Sequence, residues 1–295
     1  MKIPNYLPEL AKLDNLYILQ NDKLSALIKS AYRDIKSSMT IREFSKKSGL
    51  NKSTLTAILR EEILPSLKLI KSLADIVGWD LWNLVYEYSV YMRGKTNSNI
   101  IKIPKELTEA LAYLLGAFRD GSLVNYSYVY ELEFGQKESQ WLEKTIKPKI
   151  KNVFGIDVRV KKRKNNTFVI RKRSKVIFLI LKYLLSYENN YLITPKIILN
   201  APFELQKYYI AGFYDAEGRK NLKDMNFYQQ WYENNECSSL DDIKNILLRR
   251  GIKTKFYKLK SQNNAFLFTL HVEGETKKEF LKEIPLQHPT LVKLF

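Results

Sequence analysis

Two acids stand at the ends of two near-copies of one short apolar segment. The first copy reads Leu114-Leu115-Gly116-Ala117-Phe118-Arg119-Asp120-Gly121, the second Ile210-Ala211-Gly212-Phe213-Tyr214-Asp215-Ala216-Glu217-Gly218. Each has the small residues that let one helix backbone approach another. Each then places a carboxylate, Asp120 or Glu217, in the last turn, where the helix dipole favours a cation instead. If two such helices lie side by side, both carboxylates reach one spot and repel unless a cation neutralises them. The expected cofactor is therefore a divalent ion. Oxygen ligands, and only two histidines in the chain (His271 and His288), suit Mg²⁺ or Mn²⁺ and speak against zinc clusters or a histidine base. Such an ion activates water and steadies a leaving oxygen, which is chemistry for phosphodiester hydrolysis. Asp215, inside the second helix, reads instead as a packing or hydrogen-bonding residue.

The surroundings of the motifs repeat as well. Strand-like pieces ending in glutamine follow each, at Gln136 and Gln229, and then helical pieces over 141–153 and 240–249. A Gly-Ile pair comes next, at Gly155-Ile156 and Gly251-Ile252. Alternating runs then flank asparagine turns at Asn165-Asn166 and Asn263-Asn264, the pattern of a β-hairpin. Helices over 174–185 and 277–283 close the halves. The expected fold class is α+β, a pseudo-two-fold duplicated αββαββα fold over 104–295 with halves of about 104–194 and 195–295. A repeat this long is a doubled half-domain, not a solenoid.

This order and these motifs resemble the LAGLIDADG homing endonucleases in their single-chain, two-motif form. The second motif matches position by position. The first departs: Gly116 stands one position closer to its acid, and Arg119 replaces a small residue. That departure predicts a shifted helix seam and an arginine crowding the metal site. The resemblance implies Asp120 and Glu217 as catalytic carboxylates and metal ligands, with Gly121 and Gly218 beside them in the metal set. It implies Gln136, Gln229 and Arg119 as their supporting polar neighbours. It also implies one acid per strand across the minor groove of double-stranded DNA.

Charge supports a polyanionic partner. Lysine and arginine number 49 against 31 acids, a net charge of +18. Between positions 144 and 182 fourteen bases meet one acid, Asp157. Such a concentrated field suits nucleic acid. On a strand over 158–163, Arg159, Lys161 and Arg163 share a face, as do Arg171 and Arg173 on the return strand. The second hairpin offers Lys253, Lys255 and Tyr257. The unequal charge of the two hairpins predicts a non-palindromic target. One cysteine, Cys237, excludes a disulfide framework and points to a reducing, cytoplasmic compartment. No apolar run is long enough to cross a bilayer, and no membrane partner is expected.

The front of the chain has another grammar. Residues 1–22 form an extension carrying Pro4 and Pro8. Residues 23–92 read as helices, and 93–103 as a polar linker without periodicity. Thr40 with Glu43 makes a capping box, Gly49 ends that helix and Asn51 caps the next. Ile41, Phe44, Leu50, Leu55 and Ile58 fall at core spacings. The segment resembles the helix-turn-helix of Cro/repressor-type regulators, and Gly78-Trp79-Asp80 lies in what resembles that family's closing helices. In that arrangement Lys52, Ser53, Thr54 and Thr56 stand at the exposed start of the recognition helix, with Arg60 further along. The leading expectation is a monomeric, site-specific endonuclease of double-stranded DNA. The alternatives are a non-cleaving transcriptional regulator on the same scaffold and an RNA-splicing maturase acting on an intron.

Overall fold

The structure, a computed structural model, describes every residue except 14, 79, 96–97, 128, 189–190, 219–223, 232–237, 261–264 and 293–295. Trp79, Cys237 and the Asn263-Asn264 turn lie outside the described residues. The front is helical: α1 Asp22–Ser38, α2 Ile41–Ser48, α3 Lys52–Leu59, α4 Leu67–Val77 and α5 Asp80–Tyr88. Local chemistry sets these ends. The Thr40 hydroxyl and the Glu43 carboxylate cap each other's backbone, and Gly49 takes a left-handed φ of 67° that a side chain would strain. The Asn51 side chain accepts from the Thr54 amide at 2.7 Å. Phe44, Leu55 and Ile58 are buried, while Ile41 and Leu50 are half-buried.

The stretch expected as a plain linker is built into a sheet. Strand β1 (Tyr17–Ile18) pairs with β2 (Tyr91–Arg93), which pairs with β3 (Ile101–Lys102), all antiparallel. The extension in front of α1 is equally engaged. Ile3 donates to the Lys105 carbonyl at 2.7 Å, and the Leu107 amide to that of Met1 at 2.7 Å. Tyr6 is fully buried, donates to the Pro104 carbonyl at 3.1 Å, and packs on the rings of Tyr86 and Tyr183. Proline-broken sequence hides this role, because strap contacts come from tertiary partners and not from periodicity.

The rest is the doubled domain. Helix α6 (Glu109–Ala117), capped by Thr108, runs into a 3₁₀ turn over Phe118–Asp120. Strands β4 (Gly121–Tyr126) and β5 (Val129–Gln136) follow, then a helical run with a π turn over Leu142–Ile146 that ends in α7 (Lys147–Phe154). Pro148 explains the π turn: its ring opposes the carbonyl four residues back, and a wider turn relieves the clash. Strands β6 (Val160–Lys162) and β7 (Phe168–Arg173) and helix α8 (Lys175–Leu184) close the half, with sheet order β4-β5-β7-β6. The second half has α9 (Phe203–Glu217), β8 (Asn226–Trp231), α10 (Ser238–Leu248), β9 (Thr254–Lys260), β10 (Phe266–Val272) and α11 (Lys277–Glu283). Its described strands order as β8-β10-β9, and Gly218 forms an isolated bridge to Phe227 where the first half has Gly121 paired with Phe134.

The halves meet along α6 and α9. A β-carbon built on Gly116 would overlap the Tyr209 carbonyl and lie 2.8 Å from the Phe213 nitrogen. One built on Gly212 would overlap the Tyr113 carbonyl and lie 2.9 Å from the Ala117 nitrogen. The contact is backbone on backbone, and reciprocal. Because the obstacle is main chain and not a movable side-chain tip, Gly116→Ala and Gly212→Ala should each destabilise by about 3 kcal/mol or more, at or above the usual overpacking range. Urea unfolding checks this; an unchanged midpoint would show that the helices separate freely.

Candidate active site and nucleic-acid interface

The seam is not shifted, contrary to the expectation from the first motif. Gly116 and Gly212 occupy mirrored places and lie 96 positions apart (212 − 116). Gly121 and Gly218, each bridged to a buried phenylalanine of the next strand, lie 97 apart (218 − 121). The missing residue is therefore lost between these anchors, in the 3₁₀ turn. An α-helix rises about 1.5 Å per residue and a 3₁₀ turn about 2.0 Å. Three tight steps from Ala117 to Asp120 thus advance about 6 Å, as do four ordinary steps from Phe213 to Glu217. The turn angles sum to about 360° and 400°, so the two acids leave their helices within roughly 40° of equivalent directions.

Arg119 is placed by the same geometry. It stands three residues after Gly116, as Asp215 does after Gly212. The two side chains make mirrored contacts of opposite charge. The Arg119 guanidinium donates to the Tyr209 hydroxyl at 3.2 Å and to the Leu192 carbonyl, and stacks 4.5 Å from the Phe213 ring centroid. Asp215, fully buried, accepts from the Tyr113 hydroxyl at 2.5 Å and from the Gln287 amide at 2.7 Å. Asp215 is thus the hydrogen-bonding residue its sequence position suggested. Arg119, through Tyr209 and Phe213, ties the two halves together. Burial and the Asp215 charge push the Tyr113 hydroxyl well above its ordinary pKa, which keeps the donated proton in place. The Trp141 indole donates to that same hydroxyl at 2.9 Å. Lys149 lies 4.4 Å from the Tyr113 ring centroid, its pKa drawn down by burial against the opposing pull of Asp215.

A cleft of about 390 Å³ lies at the ends of the motif helices. Arg119 and Gly121 line it from the first half, Glu217 and Gln229 from the second, and Tyr187 and Tyr191 from the strand pair between the halves. Asp120, between Arg119 and Gly121 in the chain, accepts a hydrogen bond from the Gln136 amide at the end of β5. Gln136 follows buried Phe134 by two residues and Gln229 follows buried Phe227 by two, so both amides point to the core side of their sheets toward the helix ends. Asp120, Gly121, Glu217 and Gly218 are all half-buried. Tyr187 and Tyr191 were not expected from sequence; they stand between the duplicated halves, where the repeat offers no twin to flag them. Among the described residues no group of three or more His, Cys, Asp or Glu side chains is placed to hold a metal.

The outer faces of the sheets are unlike. On the first, Arg171 faces Glu133 and Arg173 faces Glu131 across the β5–β7 pairing. Arg163 and Arg171 both bond Glu133, and Arg173 lies 3.3 Å from Glu131. Burial raises the Glu133 pKa, but the hydrogen bonds and charges of the two arginines outweigh it and hold the carboxyl below its ordinary value. The face is therefore less purely cationic than the charge between 144 and 182 implied, because β5 brings its acids from outside that window. Arg159 and Lys161 are exposed beside it. On the second face, Lys255 and Tyr257 are exposed and pair across to His271 and Thr269, which pair onward to Asn226 and Tyr228. Lys253 falls just before β9, is exposed, and pairs with Glu275 at 2.8 Å. On α3, Lys52 and Ser53 are exposed and Thr54 and Thr56 half-exposed. Arg60 is the residue just past the helix, 3.9 Å from Glu62, rather than part of its surface.

Residues 204–285 match the model of the LAGLIDADG-like domain, and residues 30–78 that of a helix-turn-helix. These stretches are thus similar to the LAGLIDADG-like domain and to a helix-turn-helix that precedes the doubled domain. Homing endonuclease I-ApeI of Aeropyrum pernix is 36% identical over 115 residues, covering 37% of this chain and 52% of that protein. The probable translation initiation factor IF-2 of Methanocaldococcus jannaschii is 26% identical over 247 residues, covering 77% of this chain and 20% of that protein. This chain thus spans about half of the first relative and a fifth of the second. The structure of I-DmoI in complex with DNA and Ca superposes with a TM-score of 0.50 at 20% identity, covering 64% of this chain and 98% of that one. The duplicated LAGLIDADG fold expected from sequence is therefore present. Among the described residues no helix is long and apolar enough to cross a membrane.

The buried bond across the seam can be probed directly. Tyr113→Phe removes a donor from a buried carboxylate and should cost about 1.5–3 kcal/mol, the range for hydrogen bonds to charged groups. Urea unfolding of Tyr113→Phe against wild type measures it, and equal midpoints would remove this bond from the account of the interface.

Proposed function

We propose that this chain is a site-specific endonuclease of double-stranded DNA that works with a divalent ion as a monomer, its internal two-fold replacing a second subunit. One observation carries the reading: two acid-tipped helices, interlocked at Gly116 and Gly212, open onto one cleft despite unequal motif lengths. I-ApeI is a homing endonuclease and the I-DmoI structure holds DNA and calcium, and both support it. The donor set fits a hard cation: the Glu217 carboxylate lines the cleft, Asp120 stands in the chain between lining residues Arg119 and Gly121, and no histidine is among the lining residues. Asp120 and Glu217 would hold Mg²⁺ or Mn²⁺, with the carbonyls of Gly121 and Gly218 and water as further donors. When bound, the ion supplies an acidified water and charge stabilisation of the leaving oxygen.

This chain's own residues do the rest. The Gln136 amide fixes the Asp120 carboxylate. Gln229, on the same cleft wall as Glu217, is its counterpart. Arg119 sets the spacing of the halves and lends positive charge to a cleft where a phosphodiester would gather negative charge. The arginines of β7 and Arg159, Lys161 and Arg163 bind the duplex on one side, and Lys255 and Tyr257 on the other. Lys52, Ser53, Thr54 and Thr56 read a further segment.

Incubation with a target-containing plasmid library and Mg²⁺ should give linear product. Asp120→Asn and Glu217→Gln should each lower that product by at least about 100-fold, since even outer partners of metal ligands are worth 10–100-fold. Tight binding with no cleavage by wild type would instead favour the regulator. A second measurement tests the interface. Glu133→Gln releases Arg163 and Arg171 toward phosphates, so the log–log salt slope of duplex binding should steepen by about one. Anisotropy titrations across a KCl series read this, and an unchanged slope would place those arginines off the DNA.

A further inference from the structure

We infer that the helix-turn-helix and the doubled domain form one rigid reading head, which engages a single continuous duplex at one fixed spacing and helical phase. This rests on the DNA-directed reading above but not on cleavage. A tethered reader would need an open linker. Here the extension, the front helices and the doubled domain are sewn together. The Asn5 amide donates to the Trp82 carbonyl at 2.9 Å, while Lys2 bridges Glu106 and Tyr6 reaches Pro104. Ile18 donates to the Pro65 carbonyl at 3.1 Å and Leu67 to that of Leu16 at 2.8 Å, so β1 is fastened to the start of α4. The same β1 pairs with β2, and β2 with β3, which leads into the doubled domain.

The junction also joins the two charged surfaces. Past the end of α3, Glu61 and Glu62 share a cavity with Tyr17 and Arg93; Glu61 is paired with Lys29 at 2.8 Å and Glu62 stands near Arg60. From Arg93 the chain passes to Gly94 and Lys95. These line a second cavity, of about 460 Å³, with Ser98, Arg173 and Lys175. The Lys172 ammonium donates to the Asn99 side chain at 2.9 Å, docking this segment on the first sheet. Three cations and hydroxyl groups thus border a hollow between the segment that follows β2 and the arginine-bearing sheet. Its chemistry suits a backbone phosphate of a duplex crossing from one surface to the other. Fixed domains then impose fixed register, because DNA repeats every 10–10.5 base pairs.

Selection of randomised duplex DNA by the full chain, with metal chelated so that nothing is cut, tests this. Two boxes at one spacing are expected. Inserting five or ten base pairs between them should each lower affinity at least about tenfold, the first by rotation and the second by distance, where a flexible tether would tolerate both. Lys52→Ala combined with Ser53→Ala should erase the outer box alone. Lys95→Ala combined with Lys175→Ala should leave both boxes and reduce the salt slope by about two. A single box, or two at variable spacing, would overturn the inference. If selected duplexes are bound but remain uncut once Mg²⁺ is restored, the nuclease reading fails while the fixed spacing stands.

Discussion

The contact on which the molecule depends is backbone against backbone, at Gly116 and Gly212. No side chain intervenes, so no side chain can absorb an error there. Everything beyond the seam inherits its position: the acids one turn later, the strands that begin at Gly121 and Gly218, and the sheets those strands start. A pair of helices held by interdigitating leucines would tolerate sliding. A pair held by carbonyls resting on glycines does not. That rigidity fixes where Asp120 and Glu217 stand at the ends of the two helices.

Given a fixed seam, a motif short by one residue has to be reconciled in the only free interval, between helix end and strand start. The 3₁₀ turn does so by exchanging rise for residues. Its poorer hydrogen bonds are the local cost, kept to three residues. The same fixed seam explains why Arg119 and Asp215 can differ so much in chemistry while filling equivalent places. Each needs only to satisfy a tyrosine hydroxyl on the opposite helix and one backbone group outside both helices. A hydroxyl donates to a carboxylate as readily as it accepts from a guanidinium, and a chain offers both carbonyls and amides. The tyrosines are therefore the constant element, and the charged partner is free to change sign.

Much of this was legible in the residues. Motif helices, caps at Thr40 and Asn51, the Gly49 stop and the doubled order of elements follow from local rules that act over a few residues. The Gln136 contact with Asp120 was legible because Phe-x-Gln occurs in both halves at matching places. Three things were not. The register of the first motif looked displaced because sequence counts residues, whereas packing counts ångströms. The charge of the first sheet looked unopposed because Glu131 and Glu133 lie outside the basic stretch and meet it only through strand pairing. The extension and linker looked empty because their order comes from Pro104, Trp82 and Tyr183, each far away in the chain.

The pairing of Glu131 and Glu133 with the arginines has a further consequence for recognition. A free arginine on a sheet is a long, mobile cation that any phosphate attracts. An arginine held by a carboxylate across the strand is pre-oriented, and its planar fork presents fixed donors. On the proposed reading the first sheet thus trades indiscriminate attraction for direction, while Arg159 and Lys161 beside it remain as plain phosphate anchors. The second sheet has neutral groups, Tyr257, Thr269, His271 and Asn226, around the exposed Lys255. The His271 ring is kept toward its uncharged form by burial and by nearby lysines, so this face adds little charge of its own. On that reading, two halves that share a backbone but present such different donors would not favour the same base pairs. On the proposed reading the two-fold symmetry serves to place the acids, and the asymmetry of the faces serves to read a sequence that need not be its own complement.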